Sequence, residues 1–243
     1  MCGVCGCGEA DPAPVQVVPA HDHGGAPRRV AVERSLLAHN AAAAERLRQE
    51  LAAQGIDVIG LVGAPGAGKT ALLEATFRAL GPEAAAREAV VEGDCATDHD
   101  ARRVAALGAR AAQVTTGAAC HLDAHLVGHA LAALDLQGVA RVWIENVGNL
   151  VCPAGFPCGE RRRVVLVSTP EGDDKPAKYP GLFATADLLV VTKADLLPHV
   201  DFDVERCAAA ARRIQPGIRH LVVSARTGAG IPGWLAWVRE GGA

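Results

Sequence analysis

Gly63-Ala64-Pro65-Gly66-Ala67-Gly68-Lys69-Thr70 has the spacing G-x-x-x-x-G-K-[ST] and directly follows a strand-like run ending at Val62. Such a loop turns several backbone N–H groups inward onto phosphate oxygens, and the helix that follows adds its positive end. Lys69 is placed to reach β- and γ-phosphates, the Thr70 hydroxyl to hold Mg²⁺, and Ala71 to continue the cradle. Asp94 in "EGD" and Glu145 in "WIENVG" end strand-like runs, where a carboxylate can contact that magnesium directly or through water. Gly148 follows as an N–H donor to the γ-phosphate, and Lys69, Asp94 and Glu145 form the candidate catalytic set. Further on, Thr192-Lys193-Ala194-Asp195 offers a carboxylate that pairs with both N1–H and the N2 amine of guanine; adenine has no matching donors. Ser224-Ala225 supplies the backbone N–H for guanine O6, and Thr192 stands where an Asn is commoner, so that a hydroxyl must brace the loop. No Gln is obviously placed to orient water, which predicts slow hydrolysis.

A second chemistry is written in sulfur. The chain opens "MCGVCGC", bringing Cys2, Cys5 and Cys7 together near a free α-amine, a donor set suited to square-planar Ni²⁺ rather than a closed zinc site. Inside the chain, Cys120, His121 and Cys152 offer two thiolates and an imidazole, fit for Zn²⁺ or Ni²⁺. Cys152 lies only a few residues beyond Glu145 and Gly148, so metal and nucleotide states can be coupled. His121, His125 and His129 repeat at i, i+4, i+8 and are expected on one helix face, with His121 the ligand. Cys158 is either an extra ligand near Cys152 or a loop thiol.

These residues need a scaffold. At 243 residues the chain suits one large domain with spare length. Half its residues are hydrophobic but only 3% are aromatic, so an aliphatic core is expected. A formal net charge of −3 gives no basic excess for a nucleic-acid backbone, and "GERRRVV" suits a solvated strand start. No run approaches the ~18 apolar residues of a membrane span. With no export signal evident, a cytoplasmic protein whose eight cysteines are thiols or ligands is the expectation. Residues 1–28, rich in Pro, Gly and Ala, read as a flexible metal-binding tail, and 29–243 as the folded domain. Arg29 to Gln54 predicts a docking helix with Leu36, Ala43, Leu47 and Leu51 inward. Then "IDVIGLVG", "AVVEGD", "RVWIENVG", "RRVVLVST", "DLLVVTK" and "HLVVSA" alternate with helical stretches. That alternation predicts an α/β fold with a mostly parallel sheet flanked by helices and ligands beyond the carboxyl ends of its strands.

Over nearly its whole length the chain resembles the hydrogenase-maturation nickel-insertion GTPases, the HypB family. The resemblance rests on the opening Cys-x-x-Cys-Gly-Cys, "GAPGAGKT", "EGDCATDHDARR", "GAACHLDAHLV", "IENVGNLVCPAGF", "KYPGLFATADLLVVTKADLLP" and "SARTGAGIPGWLAWV". It implies a P-loop GTPase-like fold and a Mg²⁺-dependent GTPase that forms a nucleotide-dependent homodimer. It further implies nickel delivery to the large subunit of a [NiFe] hydrogenase, with a HypA-type metallochaperone as partner. By the same resemblance Cys2, Cys5 and Cys7 are the tight nickel site, and Cys120, His121 and Cys152 a zinc or nickel site near the dimer interface. The chain lacks the long His-rich stretch of nickel-storing members, having only "HDH" at 21–23. The alternatives are a urease-accessory-type nickel GTPase, against which the N-terminal cysteines and the adjacent Cys120-His121 speak, and a nickel buffer with a regulatory nucleotide site.

Overall fold

The computed structural model describes residues 26–94, 99–117 and 119–241, with side chains from Ser35 onward. Cys2, Cys5 and Cys7 lie outside them, as does most of the expected tail. The chain divides into units Met1–Ser35 and Leu36–Ala243. Of the first, only the start of a helix is described, and the second holds everything that follows.

In chain order the elements are α1 (Ala26–Ala53), β1 (Asp57–Gly63), α2 (Lys69–Leu80), α3 (Pro82–Ala85), β2 (Glu88–Asp94), α4 (His99–Ala105), β3 (Arg110–Thr115), α5 (Ala124–Ala132) and β4 (Arg141–Glu145). They continue with β5 (Arg162–Ser168), α6 (Lys175–Lys178), α7 (Pro180–Phe183), β6 (Leu188–Thr192), α8 (Val204–Ile214), β7 (Arg219–Val222) and α9 (Ile231–Glu240). All strand pairs are parallel, in the order β3-β2-β4-β1-β5-β6-β7.

Burial on both faces explains the unbroken apolar runs. Ile59 and Leu61 of β1 pack with Leu72, Leu73 and Phe77 of α2 and Trp234 of α9. Val58 turns to the other face, beside Leu51 of α1 and Val127 and Leu131 of α5. Val62 joins Val165 and Val191 against Phe183 of α7 and Ala211 of α8. The expected fold class is observed, with one strand more than expected: β3, "RAAQVT", is an edge strand whose half-buried, Ala-rich face carries little apolar signal.

Two expectations are corrected. On α1 the inward face is Asn40, Ala44 and Leu51, while Leu36 is 60% exposed and Ala43 only half-buried. Asn40 sets that phase: its amide donates to Pro157 O at 2.9 Å and its carbonyl accepts from Ala124 N at 2.9 Å. The arginine run is also not a plain solvated strand start. Arg161 and Arg162 pair with Asp57 at 3.0 and 2.6 Å, and the buried Arg163 is held by Glu160, Pro153 O and Thr185. Asp57 also takes Arg141, so this knot ties the amino-terminal edge of the sheet, opposite the candidate site.

Candidate functional site

The phosphate loop spans from the end of β1 to the start of α2. Gly66 and Gly68 adopt φ of 75° and 88°, the left-handed region open to glycine, and Gly68 is the residue before α2. Gly148 has another reason to be glycine: a Cβ there would sit 2.8 Å from the Pro65 backbone, so the strip after β4 lies against the loop. Two cavities, of about 420 and 530 Å³, meet at Gly68 and Ala71.

The first cavity contains Pro65, Gly66, Lys69, Thr70, Asp94, Glu145 and Gly148 together, all expected. Lys69 and Thr70 are buried, and the Thr70 hydroxyl donates to Glu145 Oε1 at 2.8 Å. Sequence reasoning missed Glu92, which shares this chamber because it lies two residues before Asp94 on the same face of β2. Burial first, then the neighbouring Glu145, pushes the Glu92 carboxyl far above the usual range. Glu145 is raised as well, by burial, with Lys69 the main opposing influence. Each leaves one buried carboxyl oxygen without a hydrogen-bond partner among the described residues. Unsatisfied oxygens beside a phosphate loop are the donor set a hard divalent cation takes, so Mg²⁺ fits. Arg103 and Asp100 of α4 also face the cavity, and Arg103 is clamped to Glu74 at 2.8 Å and to Asp100 at 2.6 Å.

The second cavity gathers Thr192, Lys193, Asp195 and Ala225. The Thr192 hydroxyl donates to Ala67 O at 2.6 Å, the bracing expected of it. Lys193, at φ 55°, has the only positive φ outside glycine among the described residues. Its carbonyl accepts from the Thr169 hydroxyl at 2.9 Å. Asp195 accepts from Ser224 Oγ at 2.6 Å and from Arg226 Nε at 2.8 Å, and these bonds, Ser224 first, hold its carboxyl below the usual range. Arg226 is a second residue that sequence reasoning missed, although it directly follows Ser224-Ala225.

Cys120 Sγ and Cys152 Sγ lie 2.8 Å apart, with His121 Nδ1 3.5 Å from Cys120 Sγ, and all three donors fall within 4.8 Å of one another. The His121 ring rests on Phe156, centroids 4.1 Å apart, and burial lowers its pKa, keeping the imidazole neutral for a metal. Two sulfurs and a neutral imidazole converging at one point fit Ni²⁺ or Zn²⁺.

The expected histidine row is broken. His121 precedes Asp123, whose carboxylate caps α5 by accepting from Leu126 N at 2.8 Å, and only His125 and His129 share the helix face. Cys158 lies in the loop that leads to β5, the second of its two expected roles, but its side chain is buried beneath Leu122, the thiol 3.3 Å from Leu122 O, and burial raises its pKa well above the usual thiol value.

Asn149, also not anticipated, joins the chambers. Its N–H donates to Gly63 O at 3.0 Å, its amide donates to Cys120 O at 3.2 Å, and its side-chain carbonyl accepts from Val151 N at 2.7 Å and Cys152 N at 3.3 Å.

Residues 57–222 match the family described as "CobW/HypB/UreG, nucleotide-binding domain". The hydrogenase maturation factor HypB of Azotobacter vinelandii is 43% identical, over 99% of this chain and 92% of the relative. HypB of Helicobacter pylori, solved in complex with nickel, superposes with a TM-score of 0.79 at 33% identity, over 84% of this chain and 95% of that one. HypB of Archaeoglobus fulgidus gives 0.76 at 38% identity, over 84% and 98%. Sheet order, phosphate loop and this extent of likeness agree: the chain has the P-loop GTPase-like fold and belongs to the HypB family of hydrogenase maturation factors.

Proposed function

We propose that the chain is a magnesium-dependent GTPase that handles nickel as cargo during maturation of a [NiFe] hydrogenase. The observation that carries this reading is the strip from Glu145 to Cys152: one end lines the phosphate cavity, and the other supplies a sulfur to the Cys120–His121–Cys152 cluster. The nickel complex of the Helicobacter pylori relative supports the cargo.

Gly63 to Ala71 wrap the phosphates with backbone N–H groups, and Lys69 sits where negative charge gathers on the β- and γ-phosphates. Thr70, Asp94 and Glu145 would hold magnesium, which supplies charge neutralisation across the phosphates when bound. Gly148 presents its N–H to the γ-phosphate from the strip packed on Pro65. Asp195, steered by Ser224, selects guanine, and Arg226 has to yield one carboxylate oxygen to the base. Thr192, Lys193 and Ala225 complete that pocket. Among the described residues no glutamine lines the phosphate cavity, and slow turnover is part of this reading.

The same reading makes Cys120, His121 and Cys152 the site where nucleotide state governs a nickel or zinc ion, and Cys2, Cys5 and Cys7 the capture site on an N-terminal tail, residues 1–28, ahead of a 29–243 GTPase domain. A nucleotide-dependent homodimer, a HypA-type donor, the hydrogenase large subunit as recipient and a cytoplasmic setting complete it. Steady-state hydrolysis of GTP and ATP is the test. The unaltered protein is expected to favour GTP, and Asp195→Asn to lower that preference roughly 100-fold or more. Equal use of ATP by the unaltered protein would sink the reading, as would normal hydrogenase maturation by Lys69→Ala without hydrolysis, which would leave a nickel buffer.

A further inference from the structure

The phosphate chamber is short of positive charge for the ligand it fits. Its described lining carries the carboxyl groups of Glu92, Asp94, Asp100 and Glu145 against two cations, Lys69 and Arg103. Lys69 belongs to the phosphate loop, whereas nothing in the nucleotide reading so far gives Arg103 of α4 a task.

Arg103 enters the chamber from its rim, held by two carboxylates. Its Nε and Nη2 donate to the two carboxylate oxygens of Glu74 at 3.1 and 2.8 Å, a forked pair that ties it to α2, the helix that begins at Lys69. Its Nη1 donates to Asp100 Oδ1 at 2.6 Å. A guanidinium has five N–H groups, so these bonds leave one on each terminal nitrogen for a further acceptor. Glu74 stands outside the chamber and Asp100 within it, so the guanidinium spans the edge between them. A donor already fixed by its neighbours stabilises developing negative charge without reorganising when the reaction occurs. Arginine also keeps its charge at any working pH.

Resting on the GTPase reading above, we propose that Arg103 is a catalytic residue of hydrolysis, its two remaining N–H groups contacting oxygens of the γ-phosphoryl group. Glu74 and Asp100 are positioning residues that hold the guanidinium in place. In the step it serves, the oxygen of water bonds to the γ-phosphorus while the bond from that phosphorus to the β,γ-bridging oxygen breaks. The bridging oxygen leaves on GDP with the electron pair, and the two protons of water end as one on hydrogen phosphate and one in solution. Arg103 faces the charge that spreads over the γ-oxygens in that transition state. It does not orient the attacking water, so turnover stays slow.

The test is single-turnover and steady-state hydrolysis of GTP by the full chain with magnesium, beside GDP affinity and the binding of GDP with aluminium fluoride, a mimic of the transferring phosphoryl group. Arg103→Ala is expected to lower kcat roughly 100-fold or more while GDP affinity stays within about threefold. It is also expected to lose the aluminium fluoride complex that the unaltered protein forms. Arg103→Lys, which keeps the charge without the fork, is expected to recover part of the rate. Glu74→Gln removes the ion pair but leaves the guanidinium held by Asp100, and is expected to lower kcat no more than about tenfold. An unchanged kcat in Arg103→Ala would overturn the proposal. Equal losses in Arg103→Ala and Glu74→Gln would also overturn it, because the pair would then be only a brace between α2 and α4. A GDP affinity that falls as far as kcat would do the same. Absence of GTP hydrolysis by the unaltered protein would instead sink the GTPase reading itself.

Discussion

Glu92 holds a proton in a chamber built for phosphate because desolvation and the charge of Glu145 both oppose its ionisation. In the unfolded chain the same carboxyl titrates near 4.5. A folded pKa above the unfolded one gives stability that is complete below the unfolded value and declines as pH rises towards the folded one. Without divalent cation, Glu92 contributes to this decline across the neutral range. Melting temperature measured in chelator from about pH 6 to about pH 8 is therefore expected to fall more steeply for the unaltered protein than for Glu92→Gln, which has no proton to lose. Parallel curves would show that Glu92 is ionised already. Asp94 was legible from the sequence because it ends a strand, where ligands gather. Glu92 was not, because its role comes from facing Glu145 on a neighbouring strand, a pairing that register sets.

At the scale of elements, α1 is held by a buried amide as much as by its leucines. Asn40→Ala would strand the part-buried Pro157 carbonyl and the buried Ala124 N–H, at a cost of up to about 1–3 kcal/mol for each group. For a domain of this size each kcal/mol lowers the melting temperature by roughly 2–4 °C. A thermal melt of Asn40→Ala is expected to show a drop of that order, and an unchanged midpoint would mean water replaces the amide. The helix itself was legible from its composition, but its rotation was not, since an apolar count favours Leu36 over Asn40. Five strands announced themselves through apolar runs buried on both faces, and β7, the other edge strand, through its apolar run although it is only half-buried. β3 did not: "RAAQVT" sits at the sheet edge, where half-burial tolerates alanine and glutamine.

Across the whole molecule, the phosphate loop was legible because its chemistry is contiguous, whereas its connection to the thiolates runs through contacts between distant segments. Asn149 touches Gly63, Cys120 and Cys152 at once, so a shift of the loop has a direct route to both sulfur-bearing segments. In Asn149→Ala, nickel and guanine nucleotide are each expected to bind still, while the factor by which nucleotide alters nickel affinity shrinks from the usual range of about 5–150-fold towards unity. Nickel titrations with and without a GTP analogue measure it, and an unchanged factor would assign the coupling to another route. The strip also behaves as a ruler. Gly148 is pressed on Pro65 at one mark and Asn149 is pinned to Gly63 and Cys120 at the next, with Cys152 three residues on. Inserting or deleting a single residue between Glu145 and Cys152 would misplace a carboxylate or a sulfur, whereas the outward side chain of Val151, 65% exposed, can vary freely in kind. The span is fixed in length, and Val151 is the letter it leaves open.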